Sequence, residues 1–153
     1  MSSTRVTQHV NAPRRRVYRA MLDPLAIARW KVPDGMTCFV HTFEPREGGS
    51  FRVSLTYDAP DAAGKSSAHT DTYHGRFVEL VPDEKIVEEV EFETSDPAMQ
   101  GVMTITTTLT EINGGTEVAG LHEVLPPGVS VHDNETGWRM ALAKLAALVE
   151  TDL

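Results

Sequence analysis

Residues 133–150 read DNETGWRMALAKLAALVE, and this stretch decides the fold. Trp138, Leu142, Leu145 and Val149 recur at helical spacing, flanked by Ala141 and Leu148, so they form one apolar stripe on a helix opening at Gly137-Trp138. Asp133 or Asn134 supplies a side chain able to cap it. The stripe must be buried against something, and the chain before it reads as a long series of strands. A sheet that curls around the terminal helix and leaves a space between the two layers satisfies both demands.

Working outward, Val102 to Ile112 and Thr116 to Val124 make a hairpin across Asn113-Gly114-Gly115, with Met103, Ile105, Thr107 and Leu109 on one face. Lys85 to Glu93 places Ile86, Val90 and Phe92 on the side that also carries Glu88, while Val87, Glu89, Glu91 and Glu93 face water. His69 to Leu80 precedes it, joined by Val81-Pro82-Asp83. Thr37 to Glu44 and Ser50 to Tyr57 flank Glu47-Gly48-Gly49. In the second of these, Phe51, Val53, Leu55 and Tyr57 point one way and Arg52, Ser54 and Thr56 the other. Thr4 to Val10 is a first strand, which brings the count to seven. Behind Pro13, Val17, Tyr18, Met21 and Leu22 have helical spacing, Asp23-Pro24 breaks the run, and Leu25 to Trp30 forms a second short helix. The fold class is therefore α+β: a curved seven-stranded antiparallel sheet around a long C-terminal helix, with two short helices near the N-terminus. Residues 58 to 68 are small and polar and read as a mobile loop, a rim or lid. Residues 94 to 100 and the stretch from Pro126 to Asp133 are further rim candidates.

A length of 153 residues and 41% hydrophobic content fit one domain spanning residues 1–153. Arg14, Arg15 and Arg16 interrupt the early apolar runs, so neither a secretory signal nor a membrane span is expected and the chain reads as cytoplasmic. Cys38 has no partner for an internal disulfide, and its neighbours Met36, Phe39 and Val40 predict a buried thiol. A formal net charge of -8 argues against nucleic acid as a partner, because phosphate binding needs a concentrated basic surface. The charge is uneven: residues 1–35 hold seven Arg and Lys against two Asp, whereas residues 79–93 hold seven acids against Lys85 alone. Either the two regions are solvated faces, or they orient the domain on a protein partner.

Several fragments recur in order in a known family: Asn11-Ala12-Pro13 with Val17-Tyr18 and Ala20, Asp23-Pro24, Trp30, Gly48-Gly49-Ser50-Phe51, Gly75-Arg76-Phe77 with Glu79 and Pro82, Gly114-Gly115-Thr116, His122, and Gly137-Trp138 with Leu142 and Leu145. Over nearly the whole chain they resemble the activator-of-heat-shock-protein-90-ATPase-like branch of the START and birch-pollen-allergen superfamily. The resemblance implies a helix-grip fold with a central hydrophobic cavity. Such cavities take lipids, sterols, polyketides and plant hormones across the superfamily, and some members cyclise or hydrolyse what they hold. The branch also includes a co-chaperone domain that stimulates a chaperone's ATPase, but the separate N-terminal chaperone-binding domain of that architecture has no room here.

Strand parity then lines the cavity with Phe51, Val53, Leu55 and Tyr57; Tyr73 and Phe77; Ile86, Val90 and Phe92; Met103, Ile105 and Leu109; and Trp138 and Leu142. Glu88, Thr107 and His122 are the polar members of that wall. A carboxylate such as Glu88 in an apolar pocket has the environment of a general acid or base; the alternatives are a neighbouring cation or tyrosine hydroxyl, or a bulge that turns it to solvent. His122 either meets Glu88 or a helix residue across the cavity, or is a satisfied core histidine. The six histidines are scattered, so no metal is expected, and no phosphate-loop or nucleophile-elbow motif appears, so no cofactor is expected either. The leading expectation is a protein that holds a small apolar molecule, of unidentified structure. The alternatives are a chaperone-binding, ATPase-stimulating protein with a role in stress response, and a polyketide-cyclase-like enzyme using Glu88 and His122. Homodimerisation would make a second copy a further partner.

Overall fold

A computed structural model describes residues 2–58 and 70–151 of the chain. The elements run β1 (Ser3–Val10), α1 (Arg14–Met21), α2 (Pro24–Trp30), β2 (Met36–Phe43), β3 (Ser50–Tyr57), β4 (Thr70–Val81), β5 (Lys85–Phe92), a single 3-10 turn (Pro97–Met99), β6 (Val102–Ile112), β7 (Gly115–Glu123) and α3 (Val131–Thr151). Among the described residues the strands form one seven-stranded antiparallel sheet in the order β1-β7-β6-β5-β4-β3-β2. From β2 to β7 every strand pairs antiparallel with its chain neighbour. The turn after β6 has the two residues Asn113 and Gly114 at φ of 50° and 78°, the doubly positive backbone of a type I′ hairpin. Gly115 belongs to β7 rather than to the turn.

The first strand pairs with the last, Thr4 opposite His122 and Val10 opposite Thr116. The sheet curls about α3, so the fold is the helix grip. Crossing from one edge of the sheet to the other, the chain uses α1 and α2 as a bracket. Asp23 accepts a hydrogen bond from Leu25 N at 3.0 Å and Pro24 occupies the first turn, which starts α2 where the sequence places its break. Trp30, fully buried, donates from Nε1 to Ala20 O at 3.1 Å and ties α2 to α1. The core is built from the concave face of the sheet, this bracket, and the second half of α3, where Leu142, Leu145, Ala146 and Val149 are buried.

Three expectations change. The last helix begins six residues before Gly137, at Val131. Ser130, not Asp133 or Asn134, caps it: Asp133 N donates to Ser130 Oγ at 3.1 Å. Asn134 lies inside the first turn, where its amide is free to reach the sheet. Cys38 is half-buried rather than buried, because β2 is an edge strand whose Phe39 is left 63% exposed. Burial still pushes its thiol up to about 11, away from thiolate chemistry. Finally, the expected loop over residues 58–68 falls outside the described residues apart from Asp58, as does His69, proposed as the start of β4.

Candidate functional site

The first half of α3 does not press on the sheet as the second half does. A recess of about 490 Å³ separates them, walled by Leu55 and Tyr57 of β3, Tyr73 of β4, Val90 and Phe92 of β5, Met103 and Ile105 of β6, and Trp138, Met140 and Ala141 of α3. Met36 of β2 and the turn from Lys31 to Asp34 complete one side. On the other side the rim comes from Met99 and residues Gly128 to Ser130, within the two connecting segments that the sequence marks as rim candidates. These segments are joined to each other: Gly128 N donates to Ala98 O at 2.6 Å. A Cβ on residue 128 would lie 2.9 Å from that oxygen, so only glycine allows the approach.

Of the residues that parity assigns to the wall, Leu55, Tyr57, Tyr73, Val90, Phe92, Met103, Ile105 and Trp138 stand on the recess. Phe51, Val53, Phe77, Ile86, Thr107, Leu109, His122, Leu142 and Glu88 are buried as well, but pack beyond it in solid core. Parity finds the inward face; it does not reveal how far along each strand the space runs. Lys31, Asp34, Asp71, Asn134 and Met140 are on the recess without having been expected there. Asp71 shares parity with Tyr73 and was findable on that ground. Asn134, Trp138 and Ala141 share one helical face once the helix is extended to Val131.

The polar groups form two clusters. Lys31 closes α2, its N–H bonded to Ile27 O at 2.9 Å, and its ammonium lies 3.3 Å from Glu88 Oε1 with the two side chains only 14% and 7% exposed. Glu88 thus has the neighbouring cation that the sequence offers as an alternative to acid–base chemistry. The same ammonium sits 5.6 Å from the Trp138 ring centroid and 5.9 Å from that of Phe51. Burial raises the Tyr73 hydroxyl well above its usual range, with Cys38 and Glu88 adding to the effect, so it is a neutral phenol at the recess wall.

The second cluster joins α3 to the sheet. Asn134 Nδ2 donates to Thr4 Oγ1 at 2.7 Å and lies 3.2 Å from His122 Nδ1. A carboxamide nitrogen only donates, so Nδ1 is the acceptor and the His122 proton is on Nε2. That Nε2 has no hydrogen-bond partner among the described residues, and the ring stands edge-on to Trp138 at 4.4 Å. Burial, aided by the Lys31 charge, lowers His122 to about 3, so it is neutral under ordinary conditions. His122 therefore contacts α3, not Glu88. Among the described residues no three His, Cys, Asp or Glu side chains converge on a metal position. No described helix is long and apolar enough to cross a membrane.

The acidic stretch of residues 79–93 is largely matched across strands on the outer face of the sheet. Arg52 reaches Glu93 at 2.8 Å, Arg76 reaches Glu89 at 2.7 Å, and Lys85 reaches Glu79 at 2.7 Å. The arginines of α1 and α2 have no such acid among the described residues, and Arg16, Arg19 and Arg29 border a shallow groove beside the exposed Leu25.

A family model described as Activator of Hsp90 ATPase homolog 1-like protein matches residues 11–150. The chain belongs to that family. Among solved structures it is similar to a protein from Chromobacterium violaceum, with 34% identity, a TM-score of 0.86, and coverage of 97% of this chain and 96% of that one. A Rhodobacter sphaeroides protein shares the fold at 19% identity and a TM-score of 0.82, covering 99% of this chain and 94% of that one. So does a protein of the dynemicin biosynthetic locus, at 22% identity and a TM-score of 0.69, covering 99% of this chain but 48% of that one. No curated protein matches the chain. Membership of the Activator of Hsp90 ATPase homolog 1-like family explains the order of elements and the helix grip, and names no ligand.

Proposed function

We propose that this protein binds a small, largely apolar molecule between the sheet and the first half of α3. The observation that carries the reading is the recess itself: about 490 Å³ of space between layers that meet tightly only a few residues further along the same helix. That volume lies in the range of small-molecule sites. Its wall offers four methionines, Met36, Met99, Met103 and Met140, whose unbranched side chains adapt to different shapes. Burial would provide the affinity, at about 25 cal/mol per Å² of apolar surface covered. Nile red, a neutral apolar dye, tests the reading. Wild-type protein should bind one equivalent, and Leu55→Trp, which fills the recess from β3, should weaken binding about tenfold or more. Equal binding by both proteins would place the dye elsewhere and remove the support.

A second reading is stimulation of a heat-shock chaperone's ATPase, favoured by the family's description and by the cluster of Arg16, Arg19 and Arg29 about one groove of α1 and α2. Purified protein at saturating concentration would then raise chaperone ATP turnover in a salt-sensitive way, and unchanged turnover rejects it.

A further inference from the structure

We propose that the recess selects an apolar molecule carrying one uncharged hydrogen-bond acceptor, a ketone, ester or amide carbonyl, and that this oxygen docks on Lys31 Nζ. The inference rests on the ligand-binding reading above and adds the chemical class of the ligand.

Among the described residues, Lys31 is the sole cation on the recess wall. An ammonium has three N–H donors. At Lys31 one is met by Glu88 at 3.3 Å, and the remaining neighbours are the rings of Trp138 and Phe51, 5.6 and 5.9 Å from the nitrogen. Rings at that distance are near the limit of useful attraction and do not replace an oxygen. Two donors therefore lack an oxygen acceptor among the described residues, in a side chain that is 14% exposed and stands on a largely apolar wall. A ligand oxygen supplies what the protein leaves out.

Charge decides which oxygen. Glu88 already balances Lys31, at 3.3 Å. A ligand carboxylate beside Lys31 would crowd the Glu88 carboxylate on the same ammonium and would give up its hydration to do so. An amine would meet Lys31 itself. A carbonyl gains a charge-assisted hydrogen bond without either repulsion.

The experiment displaces Nile red with four probes of matched chain length: 2-nonanone, nonane, nonanoate and nonylamine. It uses wild-type protein and the double variant Lys31→Met/Glu88→Gln, which removes both charges and leaves no buried ion alone. The expected result is that affinity for 2-nonanone falls about tenfold in the variant, the factor carried by a hydrogen bond to a charged donor, while nonane is unaffected. A measurement on wild type alone serves if the variant does not fold: the infrared carbonyl band of bound, isotopically labelled 2-nonanone should move to lower frequency than in alkane solution. An unshifted band, equal losses for ketone and alkane, or tighter wild-type binding of nonanoate or nonylamine overturns the carbonyl assignment while the ligand site stands. If no probe displaces the dye, the ligand site itself falls with it.

Discussion

The two halves of α3 serve different ends. From Leu142 to Val149 the helix is clamped between β1 and the bracket of α1 and α2, with Leu145 wholly buried. From Asp133 to Ala141 it is held off the sheet by polar contacts, Asn134 to Thr4 and His122, and faces the recess instead. One half is held by close packing and the other by a few directed bonds. In this fold stability and capacity thus reside on the same helix, about two turns apart.

Three results would break or sharpen that contrast. The largest effect is expected from Leu145→Ala, which empties a site with no room to collapse and should cost about 2–5 kcal/mol in denaturant unfolding while Nile red binding is retained. Comparable loss of dye binding would mean that the two halves are not separable. Next comes pH. His122 is neutral when folded, with its value lowered to about 3 from 6.5, so below pH 6.5 the unfolded chain takes up a proton that the native state refuses. Its contribution is complete above pH 6.5 and declines toward pH 3, at roughly 1.4 kcal/mol per unit. His122→Gln should flatten the stability profile across that window, and an unchanged slope would show that other groups set it. The smallest effect is expected from Met140→Ala. Its side chain borders space on one side already, so the stability cost should stay below about 1 kcal/mol while dye affinity changes.

Much of this architecture was legible in the chain. Alternation along Met103, Ile105, Thr107 and Leu109 needs only the pleat of a strand, and all four are buried. Turn residues gave the hairpins their places, and Asp23-Pro24 gave α2 its start. The recess was less legible because its extent depends on a separation between layers that no local pattern encodes. The cap was misplaced because Ser130 sits in a Pro- and Gly-rich segment, and the polar run Asp133, Asn134 and Glu135 near the start of α3 hid the helix. Lys31 read as part of a connecting turn; only the close of α2 brings it over Glu88, 57 positions away in sequence. Val78, the extra residue of a bulge between Phe77 and Glu79, changes the parity of β4 and could not be placed from alternation alone.

The bond from Asn134 to Thr4 spans 130 positions of chain. Hairpins β2–β3, β4–β5 and β6–β7 close over short loops and have little entropy to overcome, whereas this link waits for the two ends of the polypeptide to find one another. During refolding, the wall that α3 contributes should therefore assemble after most of the sheet exists, so that the protein acquires its interior compartment in the final stage of its own construction.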